Sequence, residues 1–118
     1  MSCVPISVRF EIHTPDERRR ITFDLNRSCG PNDAEHWTIH FSVFERKKAA
    51  AEFELAAATS VAVVAENHAA AGEVARNGLC EAQTAAAFVA ADSLIAAERG
   101  DLPLEDAHDD IQAILTAG

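Results

Sequence analysis

The sequence predicts an α+β fold: an N-terminal three-stranded antiparallel β-meander packed on two long alanine-rich helices, followed by a short acidic C-terminal helix. Two observations predict it. Apolar and polar residues alternate in three stretches before residue 46, whereas alanine dominates residues 49–99, which contain no proline. A chain of 118 residues makes a single domain. We expect the meander over residues 1–45 and the helical part over residues 46–118.

Strict alternation predicts the three strands at Ile6–His13 and at residues 21–26 and 37–44. Short connections between such strands favour an antiparallel meander with one apolar face. We expect this face to gather most of the aromatic side chains of the chain: Phe10, Phe23, Trp37 and Phe41, with Phe44 added if the third strand twists at its end.

Alanine loses no rotamer entropy in a helix, so residues 49–77 and 80–98 predict two long helices, the first ending at Asn77 and Gly78. In the first helix an apolar stripe steps by three and four residues through Phe53, Ala57, Val61, Val64, His68, Ala71 and Ala75. In the second we expect burial of Phe88, Ala91, Leu94 and Ile95. The small side chains also favour helix contacts with a second copy, hence a homodimer.

An alternative stays open for residues 49–57, because residues 51–55 also alternate and would fit a fourth strand paired with the third. For the C-terminal helix we expect Asp101 as N-cap and Pro103 in the first turn. Its apolar face then contains Leu104, Ile111, Ile114 and Leu115.

Charge divides the chain. Residues 1–48 carry eight basic and seven acidic side chains (+1), and residues 49–118 carry two basic and twelve acidic ones (−10), which gives the net charge of −9. The densest carboxylate cluster, called the acidic surface below, consists of Glu98, Asp101, Glu105, Asp106, Asp109 and Asp110. Solubility is the simple explanation for it. Alternatively, carboxylates on helices imitate phosphates and occupy a basic groove of another protein.

The leading hypothesis is therefore a non-enzymatic acidic binding protein that docks this surface on a basic, possibly nucleic-acid-binding, protein partner. It would act as an inhibitor or adaptor, like the small acidic inhibitors of nucleic-acid enzymes that phages use. We expect no direct binding of nucleic acid, since no aromatic residue interleaves the basic runs and the chain has no tyrosine.

A second hypothesis uses the basic residues. The first hairpin loop and the exit of the third strand lie at the same end of a meander, which brings together six cations, called the basic end below: Arg18, Arg19, Arg20, Arg46, Lys47 and Lys48. They either balance the acidic helices or form an anion site for a phosphate-bearing small molecule, in a binding domain or small enzyme. A third hypothesis is a structural module whose role is dimerisation.

The pattern predicts no catalytic residue, metal site or cofactor. His36 and His40 are four apart, but on a strand this places them roughly 13 Å apart. His108 among the C-terminal aspartates could bind a cation weakly and is better explained as part of an acidic helix face. We expect His68 to be a core histidine bonded to a neighbour.

We expect a cytoplasmic protein without a membrane span. The chain has no uncharged run of 18 apolar residues and no basic-then-apolar N-terminal pattern. Cys3, Cys29 and Cys80 form no CxxC pair, which favours a reducing compartment and a free Cys29 in a loop.

Overall fold

The computed structural model describes residues 3–118, except the side chain of Asp33. Four strands form one antiparallel sheet in the order β1-β2-β3-β4. Their bounds are β1 Ile6–His13, β2 Arg19–Cys29, β3 Glu35–Glu45 and β4 Glu54–Ala62. Three helices follow, α1 His68–Asn77, α2 Glu81–Glu98 and α3 Leu104–Ile114. The predicted α+β fold with an antiparallel sheet is confirmed.

The first three strands lie where alternation predicts them. The bounds of β1 match, while β2 and β3 extend beyond the predicted ranges at both ends. Phe23 lies opposite Phe10 on one side and Phe41 on the other, and the rings of Phe23 and Phe41 pack edge to face with centroids 6.4 Å apart. Both side chains are fully buried, as is almost all of Trp37. The aromatic face of the sheet is therefore confirmed, and it is the face that the helices cover.

The predicted helix over residues 49–77 is wrong in its first half. Residues Glu54–Ala62 form β4, antiparallel to β3. A fourth strand paired with the third is therefore confirmed, but it begins three residues later than the alternating residues 51–55 predicted and extends to Ala62. The stripe predicted from Phe53 onward is not one face: Val61 is buried in the sheet, whereas Val64 is 42% exposed beyond the strand end. The physical reason is that pairing with β3 and burial of β-branched side chains outweigh alanine's helix propensity, which amounts to only tenths of a kcal/mol per residue.

The helical part consists of one long helix and two shorter ones, rather than two long helices and a short one. Helix α2 has 18 residues, and α1 and α3 have 10 and 11. Gly78 ends α1 at φ 83°, as its position predicts. Asp101 is wrong as the N-cap of α3, since the cap is Pro103. Helical backbone angles are disfavoured for the residue before a proline, here Leu102, which keeps the segment before Pro103 out of the helix.

The alanines of α2 are buried within one chain. Ala87 and Ala90 are fully covered, and Ala91, Leu94 and Ile95 are nearly so. Helix α3 runs along α2, with Ala107, Ile111 and Ile114 completely buried. The close helix packing that alanine favours is thus satisfied inside the chain, and the homodimer stays a prediction.

No single helix in residues 3–118 is long and apolar enough to span a membrane. The segments Ala65–Asn77 and Glu81–Glu98 meet that requirement only as a pair, and they are bent by 111° relative to each other.

Cys3 and Cys29 form a disulfide with their Cα atoms 5.8 Å apart, which ties the N-terminal segment to the end of β2. The prediction that Cys29 is a free thiol is therefore wrong, and Cys80 is the free, exposed cysteine. Disulfides persist mainly in oxidising compartments, so the cysteines no longer support a reducing one. The cytoplasmic location stays a prediction.

Candidate functional site

The acidic surface is built around the corner where α2 turns into α3. Gly100, at φ 81°, makes the turn, and the main-chain N–H of Asp101 donates to the Ala96 carbonyl at 2.9 Å. This fixes the loop so that carboxylates from the end of α2, the loop and α3 follow one another. Five of them are exposed: Glu98, Asp101, Glu105, Asp106 and Asp109.

These five carboxylates form no ion pair with any residue between 3 and 118. Asp110 is different, because it is half-buried and accepts a hydrogen bond from the Ser93 hydroxyl of α2. It fastens α3 to α2 instead of facing a partner. The sequence pattern grouped Asp110 with the five other carboxylates, because the pattern contains no sign of this contact between α2 and α3.

Helix stability explains part of the surface. Glu105 and Asp106 occupy the first turn of α3, where a negative charge interacts favourably with the helix dipole. Glu98 lies at the last residue of α2, where the dipole disfavours a carboxylate, and the last turn of α2 contains no basic residue. Its position therefore has no benefit for the helix itself.

The two histidines near this region have structural partners. His108 Nε2 lies 2.8 Å from Thr59 Oγ1, which joins α3 to β4. His68 Nε2 lies 3.2 Å from the Val63 carbonyl oxygen, so the expected bond to a neighbour is present, but the residue is half-buried and does not belong to the core. The described part of the chain contains no group of three histidine, cysteine or carboxylate side chains that could hold a metal ion.

At the basic end, the structure does bring strand β2 and the exit of β3 together. The Arg46 N–H donates to the Arg18 carbonyl at 3.0 Å. Arg19 is held between Glu45, at 2.9 Å, and Asp92 of α2. Burial alone would lower the pKa of Arg19, but hydrogen bonds to Asp92 and Glu45 outweigh it and raise the pKa above its usual value. Arg19 is thus a link between sheet and helix.

Two further cations of the basic end hold an aromatic ring. The guanidinium carbons of Arg20 and Arg46 lie 5.0 and 4.2 Å from the ring centroid of Phe53, and Arg20 also lies 4.7 Å from that of Phe44. Arg46 Nε donates to the Glu17 carbonyl at 2.7 Å. Such cation–π contacts help fix the chain between β3 and β4. The sequence pattern missed this role because Phe53 was assigned to a helix.

Two open clefts adjoin the basic end, with volumes of about 470 and 890 Å³. Each is lined by three cations and three carboxylates. The smaller cleft contains Arg18, Arg19, Arg46, Asp16, Glu45 and Asp92. The larger contains Arg46, Lys47, Lys48, Glu45, Glu52 and Glu54. The formal charges balance in both linings, so neither cleft favours the phosphate-binding alternative over ion pairing within the fold.

The face of the sheet opposite the helices carries a polar row across all four strands: Arg9, Asp24, His40 and Ser60. His40 Nδ1 lies 2.6 Å from Ser60 Oγ, while Arg9 donates to both carboxylate oxygens of Asp24 at 2.7 and 2.9 Å. Serine, histidine and aspartate in line resemble a hydrolytic triad by residue type. However, the described side chains include no hydrogen bond from His40 to Asp24, and His40 and Ser60 are exposed rather than set in a cleft. The row is better explained as cross-strand pairing.

Comparison of the chain with family models, curated proteins and solved structures gave no match. Function must therefore be argued from the surface itself. The acidic surface has five exposed carboxylates without an ion pair among the described residues. In the basic end, carboxylates or aromatic rings engage Arg19, Arg20 and Arg46, whereas Arg18, Lys47 and Lys48 are exposed and form no ion pair with a described residue.

Proposed function

We propose that this chain is a non-enzymatic binding protein that docks its acidic surface on a basic protein partner and acts as an inhibitor or adaptor. The observation that carries the proposal is the group of five exposed carboxylates without an ion pair at the α2–α3 corner. Such a surface attracts a positively charged partner over a distance and speeds their association.

The rigid support of α3 adds to the proposal. Beside the contact of Asp110 with Ser93, the Gln83 side chain of α2 donates to the Leu115 carbonyl at 3.2 Å. His108 and Gln112 connect the other side of α3 to β4. Carboxylates held at fixed helical spacing lose little freedom on binding, which favours affinity. A basic groove that normally accepts phosphates is the kind of target this surface fits.

Direct binding to nucleic acid is not part of the proposal, because a net charge of −9 repels phosphates. Nor do we propose a membrane partner. A cytoplasmic location remains part of the proposal, although the Cys3–Cys29 disulfide does not favour it.

The experiment is a pull-down with the tagged protein from lysate of its source, at low and high salt, read by mass spectrometry. The test variant combines Glu105→Gln, Asp106→Asn and Asp109→Asn, and leaves Asp110 in place because of its contact with Ser93.

The matched control removes the same number of exposed carboxylates around α1, at Glu66, Glu73 and Glu81, by substitution with glutamine. We expect a basic partner that washes off at high salt, that the test variant fails to retain and that the control retains. A partner held equally by the test variant, or at high salt, contradicts the proposal.

A further inference from the structure

The outer edge of β4 lacks the usual protection of an edge strand. β4 is last in the sheet order, so one of its sides has no neighbouring strand. Residues 55–65 contain no charge and no proline. A bulge interrupts the pairing with β3 only near the start of the strand, between Val43 and Phe44 of the partner strand. Natural sheets commonly guard exposed edges with charges, prolines or bulges.

The other edge of the sheet is guarded in this way. In β1, Arg9 and Glu11 alternate with apolar residues and pair with Asp24 and Arg20 of β2. Val4, two residues before β1, is tied down, since the Arg27 side chain donates to its carbonyl at 2.8 Å. The open edge of β4 is thus a local feature and not a general property of this sheet.

Main-chain geometry shows which groups face outward. The Val63 N–H donates to the Trp37 carbonyl at 2.9 Å, so these two residues form a hydrogen-bonded pair between the strands. Such pairs occur at every second position of an antiparallel ladder, which assigns residues 57, 59 and 61 to the same type of pair with β3. Their main-chain groups therefore bond to β3. In an antiparallel ladder the intervening residues point the other way, so Ala58, Ser60 and Ala62 direct their N–H and C=O groups to the open edge.

One side chain already pairs with this edge as a strand would. The Gln112 amide nitrogen donates to the Ala62 carbonyl at 3.0 Å, and its amide oxygen accepts the Val64 N–H at 3.2 Å. Gln112 covers only this end. No described residue forms a hydrogen bond with the main-chain N–H or C=O groups that Ala58 and Ser60 direct outward.

We propose that this open part of β4 binds an extended, basic segment of the partner protein as a fifth strand. The inference rests on the proposed function and specifies how the partner is held. Glu105 and Asp109 lie seven and three residues before Gln112, so they share the side of α3 from which Gln112 reaches the edge. Lysine or arginine side chains on that side of the added strand face these carboxylates.

A second copy of this chain is a poor occupant of the open edge, because it brings carboxylates and not basic side chains to it. Antiparallel pairing of two β4 strands places two α3 helices beside each other, each with Glu105 and Asp109 exposed. Like charges at close range oppose that contact. A basic strand from another protein has the complementary charge and the same ability to bond with the main chain.

The probe is a short synthetic peptide of alternating lysine and valine, measured by fluorescence anisotropy at low salt. Two versions of the peptide are N-methylated at every second amide, one at the odd positions and the other at the even positions. Each version therefore lacks the hydrogen-bond donors along one edge of the peptide strand. Only one edge can face β4, so we expect one version to lose at least about tenfold in affinity while the other binds like the parent. If both bind like the parent, or the parent peptide does not bind, strand addition is wrong.

Variants of the protein separate this inference from the proposed function. Ser60→Pro removes an outward N–H, a position where an edge strand tolerates proline, and its fold is checked by circular dichroism. We expect it to weaken the peptide at least as much as methylation does. If Ser60→Pro and methylation have no effect while Glu105→Gln with Asp109→Asn abolishes binding, edge pairing is overturned and charge-based docking stands. A dimer of the free protein that Ser60→Pro dissociates would overturn the choice of occupant.

Discussion

At the scale of single residues, Gln112 joins helix α3 to the end of β4 with both atoms of its amide. Gln112→Glu keeps an acceptor for the Val64 N–H but loses the donor to the Ala62 carbonyl and directs a negative charge at that oxygen. We expect the free energy of unfolding to fall by about 1 kcal/mol or more. Urea denaturation at neutral pH measures this change.

Acid pH provides the control for that variant, because the introduced carboxyl regains a donor when it is protonated. The difference in stability between variant and parent should therefore shrink as the pH falls through the carboxyl's titration range. A difference that does not depend on pH would mean that the loss comes from some other effect than the missing donor.

Asp16 supplies a second test at this scale. The Thr14 hydroxyl donates to its carboxylate at 2.7 Å and the Arg18 N–H at 3.0 Å, and together they lower the pKa of Asp16. A lowered pKa stabilises the fold above the carboxyl's usual pKa, and this contribution is lost as the pH falls through the lowered value. Thr14→Val removes the largest cause, so we expect NMR titration to show a higher pKa for Asp16. An unchanged pKa would contradict the assigned hydrogen bond.

At the scale of elements, alternation predicted β1, β2 and β3 because their buried and exposed side chains differ clearly in polarity. In β4 the same signal is weak. Alanine is small enough for either face, and the bulge near Leu55 puts the strand out of phase before Ala57. Helix propensity predicts a helix in such a stretch, whereas pairing with the open edge of β3, the preceding strand, favours a strand.

The candidate site was predicted to a similar extent. Local spacing placed the carboxylates around the α2–α3 corner, and the meander topology predicted that the six cations of the basic end lie at one end of the sheet. Neither argument could identify the partners of these side chains. Asp92 and Ser93 contact them from another segment of the chain, and Phe53 was assigned to a helix. The disulfide was missed for the same reason, because Cys3 and Cys29 are 26 residues apart.

Amide hydrogen exchange tests the strand and its open edge together. We expect slow exchange at Thr59 and Val61, whose N–H groups bond to β3, and fast exchange at Ala58 and Ser60, which face outward. A helix over these residues would protect all four amides alike. Residue-resolved NMR exchange makes the measurement, and uniform protection would contradict the structure of β4.

At the scale of the whole molecule, the disulfide closes a loop across the first hairpin. With a separation of 26 residues, the loop-closure model gives a stabilisation of about 3.5 kcal/mol. We expect urea unfolding of the Cys3→Ser, Cys29→Ser variant to show a loss of this order, and the Cys80→Ser control to stay near the parent. Equal stability of all three proteins would show that the bond does not constrain the chain.

The division of charge is the other property of the whole molecule. In the basic end, arginines contact carboxylates and aromatic rings inside the fold. The exposed carboxylates of the acidic surface have no such partners among residues 3–118. An uncompensated surface of one sign weakens the compact state by self-repulsion, which a partner of opposite charge relieves on binding.

The most direct test of this account is the affinity of a captured partner as a function of salt concentration, measured by calorimetry for the parent and for the combined Glu105→Gln, Asp106→Asn and Asp109→Asn variant. We predict that the parent's affinity falls steeply as salt rises, and that the variant binds weakly with a shallower dependence. An affinity that is independent of salt, or unchanged in the variant, would contradict docking through the acidic surface.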